Sequence, residues 1–454
     1  MGNTGAPNTV DYMDHASYVA LRALRRGPVG QSVWIYERGV DLDGLRRFQR
    51  NLGHTLLGRR IERSPLPFGR HRWVRSAGPD SIEVSTRERA RSEVWDWANE
   101  RAKIPVDPET GPSWHLAVQP LSGGACAVSL VFSHTIADGA ASTLSIVSAV
   151  EGRSWALGYP EPGSRTFGRA LREDLGATAR LLPAIPSSLI GTARLQRQQA
   201  AANQKANPKA KTAKTRKPAV AADSGEPVTV PMVAASVDVE TFDAKVAELS
   251  GTRNAFVAAL AARLGHALGR VDDDGMVTLI FPVSERTEGD TRGNALNAIT
   301  VTVDPDTVVV DLGPLRKAVK DALIEMAASR DAMMAPLPLI PFVPKFLMAT
   351  VEKAVLQEGQ PIGCSNAGDM PPALSRIDGT EADFFIGRMI ENGVTEAAFA
   401  RRGGHLALGV TISGGTVAIS IASWKVGGPN SAPALADAVA AAFADFGLAP
   451  KIEW

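Results

Sequence analysis

Between Leu175 and Ala222 the chain carries nine basic residues and no acidic one. The centre of this stretch, from Gln196 to Asp223, is rich in Ala, Lys, Gln, Asn and Thr, with almost nothing apolar to bury, so no core can be built from it. It is expected to be a flexible basic linker over 176–227, dividing the chain into globular stretches at 1–175 and 228–454. At about 150 residues per domain, the 454 residues accommodate that arrangement. The same segment accounts for the overall charge. The 49 Lys and Arg oppose 48 Asp and Glu, a net +1; without the nine, 40 oppose 48 and the remainder is mildly acidic, at −8. A folded surface of that sign disfavours a dedicated nucleic-acid binder, and no specific nucleic-acid partner is expected.

Both stretches mix helix and strand signals, which predicts a mixed α/β fold. Leu42 to Leu52 follows Asp41 and has Leu45, Phe48 and Leu52 at helical spacing. Ala125 to Phe132 is a short apolar run expected as a buried strand, with a polar turn and then a helix from about Ala140. Farther on, Asn254 to Leu268 predicts an Ala-rich helix and Val277 to Val283 a strand. His405 to Ile412 and Val417 to Ile421 flank Gly414-Gly415, a hairpin signal. Ser431, Pro433 and Gly447 bracket a final helix.

The segment Val131 to Ala140 concentrates the chemistry. A buried strand ends at Ser133-His134, and Asp138-Gly139 follows after three residues. A strand end is a rigid mount, and an imidazole is suited to take a proton from a hydroxyl that attacks a carbonyl. In this reading Asp138 orients the loop, by bonding the backbone or pairing with an arginine, and Gly139 permits a tight turn; a purely structural strand end remains the alternative. The other histidines form no HExxH or close metal set, so no metal is expected. Neither a GxxxxGK[ST] loop nor a strand-borne GxGxxG is present, which disfavours nucleotide hydrolysis and dinucleotide cofactors. Cys126 and Cys364 are too few and too distant for a disulfide framework, and a cytoplasmic location fits them best. Asp11 and Asp14 stand where a signal peptide would be apolar, and His134, Asp138 and Gly139 interrupt the stretch from Ala125 to Ala149, so neither a leader nor a membrane-spanning helix is expected.

Ser133-His-Thr-Ile-Ala-Asp-Gly139 resembles the HHxxxDG motif of the acyl-CoA-dependent acyltransferase superfamily. Other segments are similar to the bacterial wax ester synthase/diacylglycerol acyltransferase branch. Met13 to Tyr18 looks like its opening block, and Gly58 to Gly69, closing in Arg72-Trp73-Val74, like its early arginine-rich stretch. Phe281-Pro-Val-Ser-Glu-Arg286 with Gly293-Asn294 resembles its PVSxR…GN block, and Ser365-Asn366-Ala367-Gly368 its late SNxxG turn. The departures are Ser133 for the first His, Pro112-Ser113-Trp114 for Pro-Leu-Trp, Asn254-Ala255 for Asn-Asp, and Gly368-Asp369 where Pro-Gly is common.

The resemblance implies two chloramphenicol-acetyltransferase-like subdomains, each a mixed sheet with flanking helices, meeting at an active-site tunnel. It implies His134 as the catalytic base, with Asp138 retained beside it and Ser133 and Gly139 as motif positions. Ser284, Arg286, Asn294 and Asn366 are candidate polar groups for substrate; Arg286 is alternatively the partner of Asp138. The activity implied is transfer of a long-chain acyl group from acyl-CoA, a co-substrate, to an alcohol, with no bound cofactor. Acylation of a glycolipid or polyketide hydroxyl from CoA or a carrier protein is the alternative within catalysis, and a non-catalytic acyl-CoA-binding scaffold the alternative outside it. The run Leu181 to Ile190, followed by the basic residues, is expected to meet an anionic membrane surface through 181–217, peripherally at the inner face.

Overall fold

The computed structural model describes residues 8–25, 27–206, 225–344 and 361–454. The first part of the chain folds as α1 (Tyr12–Leu24), β1 (Gly27–Tyr36), α2 (Leu42–Leu52), β2 (Arg59–Glu62), β3 (Arg72–Arg75) and β4 (Glu83–Val84). It continues with α3 (Val94–Ala102), β5 (Trp114–Pro120), β6 (Cys126–Ser133), α4 (Gly139–Val150), α5 (Phe167–Leu181) and α6 (Ile185–Ala206). The second part opens with β7 (Met232–Asp238), α7 (Val239–Glu248), α8 (Arg253–Ala267), β8 (Val277–Ser284), β9 (Leu296–Val303) and α9 (Gly313–Met334). It ends with β10 (Ile362–Asp369), β11 (Phe384–Asn392), α10 (Glu396–Arg401), β12 (His405–Ser413), β13 (Thr416–Trp424), α11 (Ala432–Ala444) and β14 (Lys451–Glu453).

Local chemistry sets many of these boundaries. Asp41 accepts a hydrogen bond from Asp43 N at 2.9 Å and caps α2, whose Leu45, Phe48 and Leu52 are buried. The β12–β13 hairpin turns at Gly414-Gly415, both at positive φ (55° and 76°), as a two-residue turn with right-handed strand twist requires. Ser431 caps α11 through Ala434 N.

Two mixed sheets result. One has the order β11-β1-β6-β5-β4, parallel only between β4 and β5. The other has the order β14-β7-β13-β12-β10-β8-β9, with β10 parallel to both neighbours. On one face of the first sheet, Trp34, Trp114, Val128 and Leu130 pack with Leu45 and Phe48 of α2 and Ile146 of α4. On its other face, Val33, Ile35 and Ala127 meet Trp95 and Trp97 of α3, joined by Ala234 and Ala418 from the second sheet. The second sheet packs on α8 and α11 through Leu279, Leu408 and Ile421 against Phe256, Leu260 and Phe443.

The division expected at residue 175 differs from the fold in two ways. The chain remains helical from 176 to 206, in α5, a short 3-10 turn and α6, because Ala, Arg, Leu and Gln are good helix formers even where little is buried. The rest of the expected linker up to 224 lies outside the described residues. Moreover, β11 leaves the second half and pairs with β1 over Gly27↔Asn392 to Ile35↔Phe384, so the first sheet joins four strands of the first half to one of the second.

Candidate active site

Strand β6 is buried along its whole length and delivers Ser133 and His134 at its end, where α4 begins. Asp138 is the N-cap of α4 and is completely buried. Its Oδ1 accepts from Ala141 N (2.7 Å), and its Oδ2 accepts from Ala295 N (2.8 Å) and from Arg286 Nη2 (3.0 Å). Its own N–H donates to Gly293 O at 2.8 Å. The aspartate therefore ties the His134 loop to the turn before β9 and has no face left for a substrate. Arg286 is the partner of Asp138, not a group in an open pocket: its side chain is 4% exposed, and it also donates to the carbonyls of Asp290, Arg292 and Gly293. Gly139 also departs from expectation. It is exposed as the first residue of α4, its φ is not positive, and a Cβ there would meet nothing within 4 Å. The turn does not need a glycine, and a side chain there would extend into open space.

His134 is half-buried. Its main-chain N–H donates to Pro28 O at 3.2 Å, which fixes the backbone against β1. Its Nδ1 lies 3.1 Å from Asn294 Oδ1. The Asn294 amide nitrogen has three acceptors around it: Asp14 Oδ1 (3.0 Å), His134 O (3.1 Å) and Thr135 O (3.3 Å). Its oxygen must therefore be the atom that faces the ring, and because that oxygen only accepts, Nδ1 carries the hydrogen. Nε2 is left with the lone pair. Burial pushes the imidazole below its usual pKa, outweighing Asp138, its own main chain, Asn294 and Glu391, which favour the charged form. A ring that is neutral at physiological pH and has a defined lone-pair nitrogen is the state a general base needs. Ser133, the last residue of β6, is 3% exposed, and its main-chain N–H donates to Ser113 O at 2.9 Å.

Three of the blocks marked in the sequence meet beneath this loop. From α1 of the opening block, Asp14 reaches Gly293 and Asn294, and Ser17 Oγ lies 3.1 Å from Thr135 Oγ1. From the arginine-rich stretch, Arg59 is completely buried, stacks over the Trp73 ring (4.1 Å to its centroid) and donates to Ile136 O and Thr291 O. From the third block come Arg286, Gly293 and Asn294. The remaining candidates lie elsewhere in the bonding pattern. Ser284, exposed at the end of β8, accepts from Arg286 N at 3.3 Å and caps the turn. Asn366 on β10 donates to Asn254 and accepts from Gly368 N, so the late block pairs with the start of α8 rather than with His134. Asp14 and Arg59 were not named as site residues from the sequence; the one signal was that they fall in the blocks Met13 to Tyr18 and Gly58 to Gly69.

Among the described residues there is no group of three or more His, Cys, Asp or Glu that could hold a metal ion. No family model matches the chain, and no curated protein matches it in sequence. Its structure, in contrast, is similar over nearly its whole length to several solved ones. The first condensation domain of the calcium-dependent antibiotic synthetase superposes with a TM-score of 0.57 at 15% identity, covering 98% of each chain. The wax ester synthase/diacylglycerol acyltransferase of Marinobacter aquaeolei gives 0.53 at 15% identity, covering 96% of this chain and 98% of that one. A trichothecene 15-O-acetyltransferase of Fusarium sporotrichioides gives 0.57 at 10% identity, covering 97% and 95%. What this chain shares with them is the fold: two sheet-containing subdomains of mixed α/β structure.

Proposed function

We propose that this protein is an O-acyltransferase that moves an acyl group, most simply a long-chain one, from acyl-CoA to an alcohol hydroxyl. The observation that carries the reading is the His134 ring at the end of β6, with Nδ1 held by Asn294 Oδ1 and Nε2 left as the lone-pair nitrogen. Nε2 takes the proton of the acceptor hydroxyl while that oxygen attacks the thioester carbonyl. The C–S bond then breaks, and the proton passes from Nε2 to the departing thiolate, giving an ester and a free thiol. The imidazole returns to its starting state, and no covalent enzyme intermediate is formed. In this reading the thioester and the hydroxyl reach His134 from opposite sides. The similarity in fold to two O-acyltransferase structures supports this reading.

A surface role for α5 and α6 belongs to the same proposal. Among the described residues no helix is long and apolar enough to cross a membrane. Leu182, Leu189 and Ile190 are more than half exposed, and Arg194 and Arg197 are exposed just beyond them. Apolar side chains beside cations suit an anionic lipid surface, the setting in which a water-insoluble acceptor is met.

The test is incubation of the purified protein with acyl-CoAs and alcohols of graded length, reading free thiol and identifying esters by mass spectrometry. Ester formation is expected, with His134→Gln folded and slower by about 10²–10⁴. Near-normal thiol release by that variant sinks the mechanism. A wild-type protein that binds acyl-CoA without turnover is a scaffold.

A further inference from the structure

Behind the imidazole lies a carboxylate that the acyl-transfer step does not touch. Asp14, on α1 and completely buried, accepts from Gly293 N (2.8 Å), Asn294 N (2.6 Å) and Asn294 Nδ2 (3.0 Å). The same amide offers its oxygen to His134 Nδ1 at 3.1 Å. Carboxylate, amide and imidazole thus stand in series, and their residues come from three separate parts of the chain. We propose that Asp14 is a positioning residue for the His134 base: it holds the Asn294 amide in one orientation, and the amide oxygen in turn holds the imidazole in its Nδ1–H tautomer.

A side-chain amide has two orientations related by a half-turn that differ little in shape and completely in hydrogen bonding. In the observed one, the NH₂ faces a carboxylate and two carbonyls while the oxygen faces the ring. In the other, the oxygen opposes the Asp14 carboxylate and the NH₂ faces Nδ1, which favours the Nε2–H tautomer. That tautomer has no lone pair on the nitrogen that would receive the acceptor's proton. Asp14 contributes the charged acceptor that separates the two orientations.

The surroundings are built for such a group. A Cβ on Gly293 would lie 2.9 Å from Asp14 Oδ1 and 2.8 Å from Ile136 O, so only glycine lets this backbone approach the carboxylate so closely. Burial pushes the Asp14 carboxyl up to about 6, against Arg59 and its hydrogen bonds to Asn294 and Gly293, which favour ionisation. It is therefore charged at pH 7.5.

The proposal rests on the acyl-transfer reading for its catalytic consequence, but its first readout needs no substrate. In protein labelled with ¹⁵N-histidine, the His134 ring is assigned by its absence from His134→Gln. The wild-type ring is expected as Nδ1–H; a wild-type Nε2–H ring overturns the proposal before any variant is made. In Asp14→Asn, and in the smaller Asp14→Ser if the amide does not fold, the ring is expected to become a tautomer mixture. On the best soluble acceptor, kcat should fall by about tenfold or more, with KM nearly unchanged. Adding Asp14→Asn to Asn294→Ala should then slow the enzyme little further, because Asp14 acts through that amide. A folded Asp14 variant with an unchanged tautomer, or effects of the two substitutions that simply multiply, overturns the assignment. A silent wild-type enzyme whose tautomer still responds to Asp14 removes the acyl-transfer reading and leaves the positioning role intact.

Discussion

At the Asp138–Arg286 pair, the side chains are 0% and 4% exposed, and all the carboxylate's neighbours are protein groups. Removing one charge from such a pair strands the other, which costs about 3–5 kcal/mol. Asp138→Asn should therefore lower stability by roughly that amount in urea unfolding, and activity should fall because the loop that carries His134 is no longer tied to Ala295. A fully stable but inactive variant would instead make Asp138 a participant in the chemistry. Gly139→Ala should behave in the opposite way. With no positive φ and no neighbour within 4 Å of the new Cβ, the melting temperature should hold or rise slightly, as expected for glycine to alanine in a helix. Near-normal kcat/KM is expected alongside; a folded variant with a strongly raised KM would instead place substrate against this position. The pH profile adds a third reading. The neutral imidazole is the active form and burial favours it, so kcat/KM should persist as pH falls through the ordinary value of 6.5 and be lost only below it. An acidic midpoint above 6.5 would mean that the titrating group is not the His134 described here.

Among the elements, α5 and α6 are the clearest case of apolar side chains left outside a core: Phe167 is 72% exposed, and Leu189 and Ile190 are 55% and 53% exposed. If these helices meet lipid, the protein should sediment with anionic vesicles, less so at high salt and hardly at all with neutral ones. Leu189→Ser/Ile190→Ser should reduce that binding while leaving turnover of a short soluble acceptor unchanged. Equal binding by the variant removes the surface role. These helices also mark where sequence reading stops. α2, β6, α4 and the β12–β13 hairpin were legible because cap residues, apolar spacing and paired glycines act within a few positions of themselves. The stretch after Leu175 has the composition of a linker, and only a fold with neighbours such as α9 distinguishes a partly packed helix from a tether. Asp14 and Arg59 escaped for the same reason: a charge on a helix or strand carries no local sign that it will be buried beneath a loop some 80 to 120 residues away.

The largest consequence of long-range pairing is β11. It belongs to the second half by sequence, yet its nine residues complete the first sheet, and Phe385 lies 5.3 Å from Trp34 between ring centroids. Leu374 and Ile377, just before it, are buried in the same cluster, and Trp34 Nε1 donates to Leu374 O at 2.8 Å. Neither sheet can then be lost without exposing part of the other's core. Six of the eight tryptophans (34, 73, 95, 97, 114 and 155) lie in the first half, so their fluorescence follows mainly that half, whereas far-ultraviolet circular dichroism follows both. In urea the two signals should trace one coincident transition. Phe385→Ala should move both midpoints down together, by about 3–5 kcal/mol of stability, although the residue belongs to the other half of the sequence. Two separated transitions, with the fluorescence midpoint unmoved by Phe385→Ala, would mean that the first sheet holds without its borrowed strand. A sheet lacking that strand would present β1 as a bare edge from Gly27 to Ile35, an apolar template for aggregation.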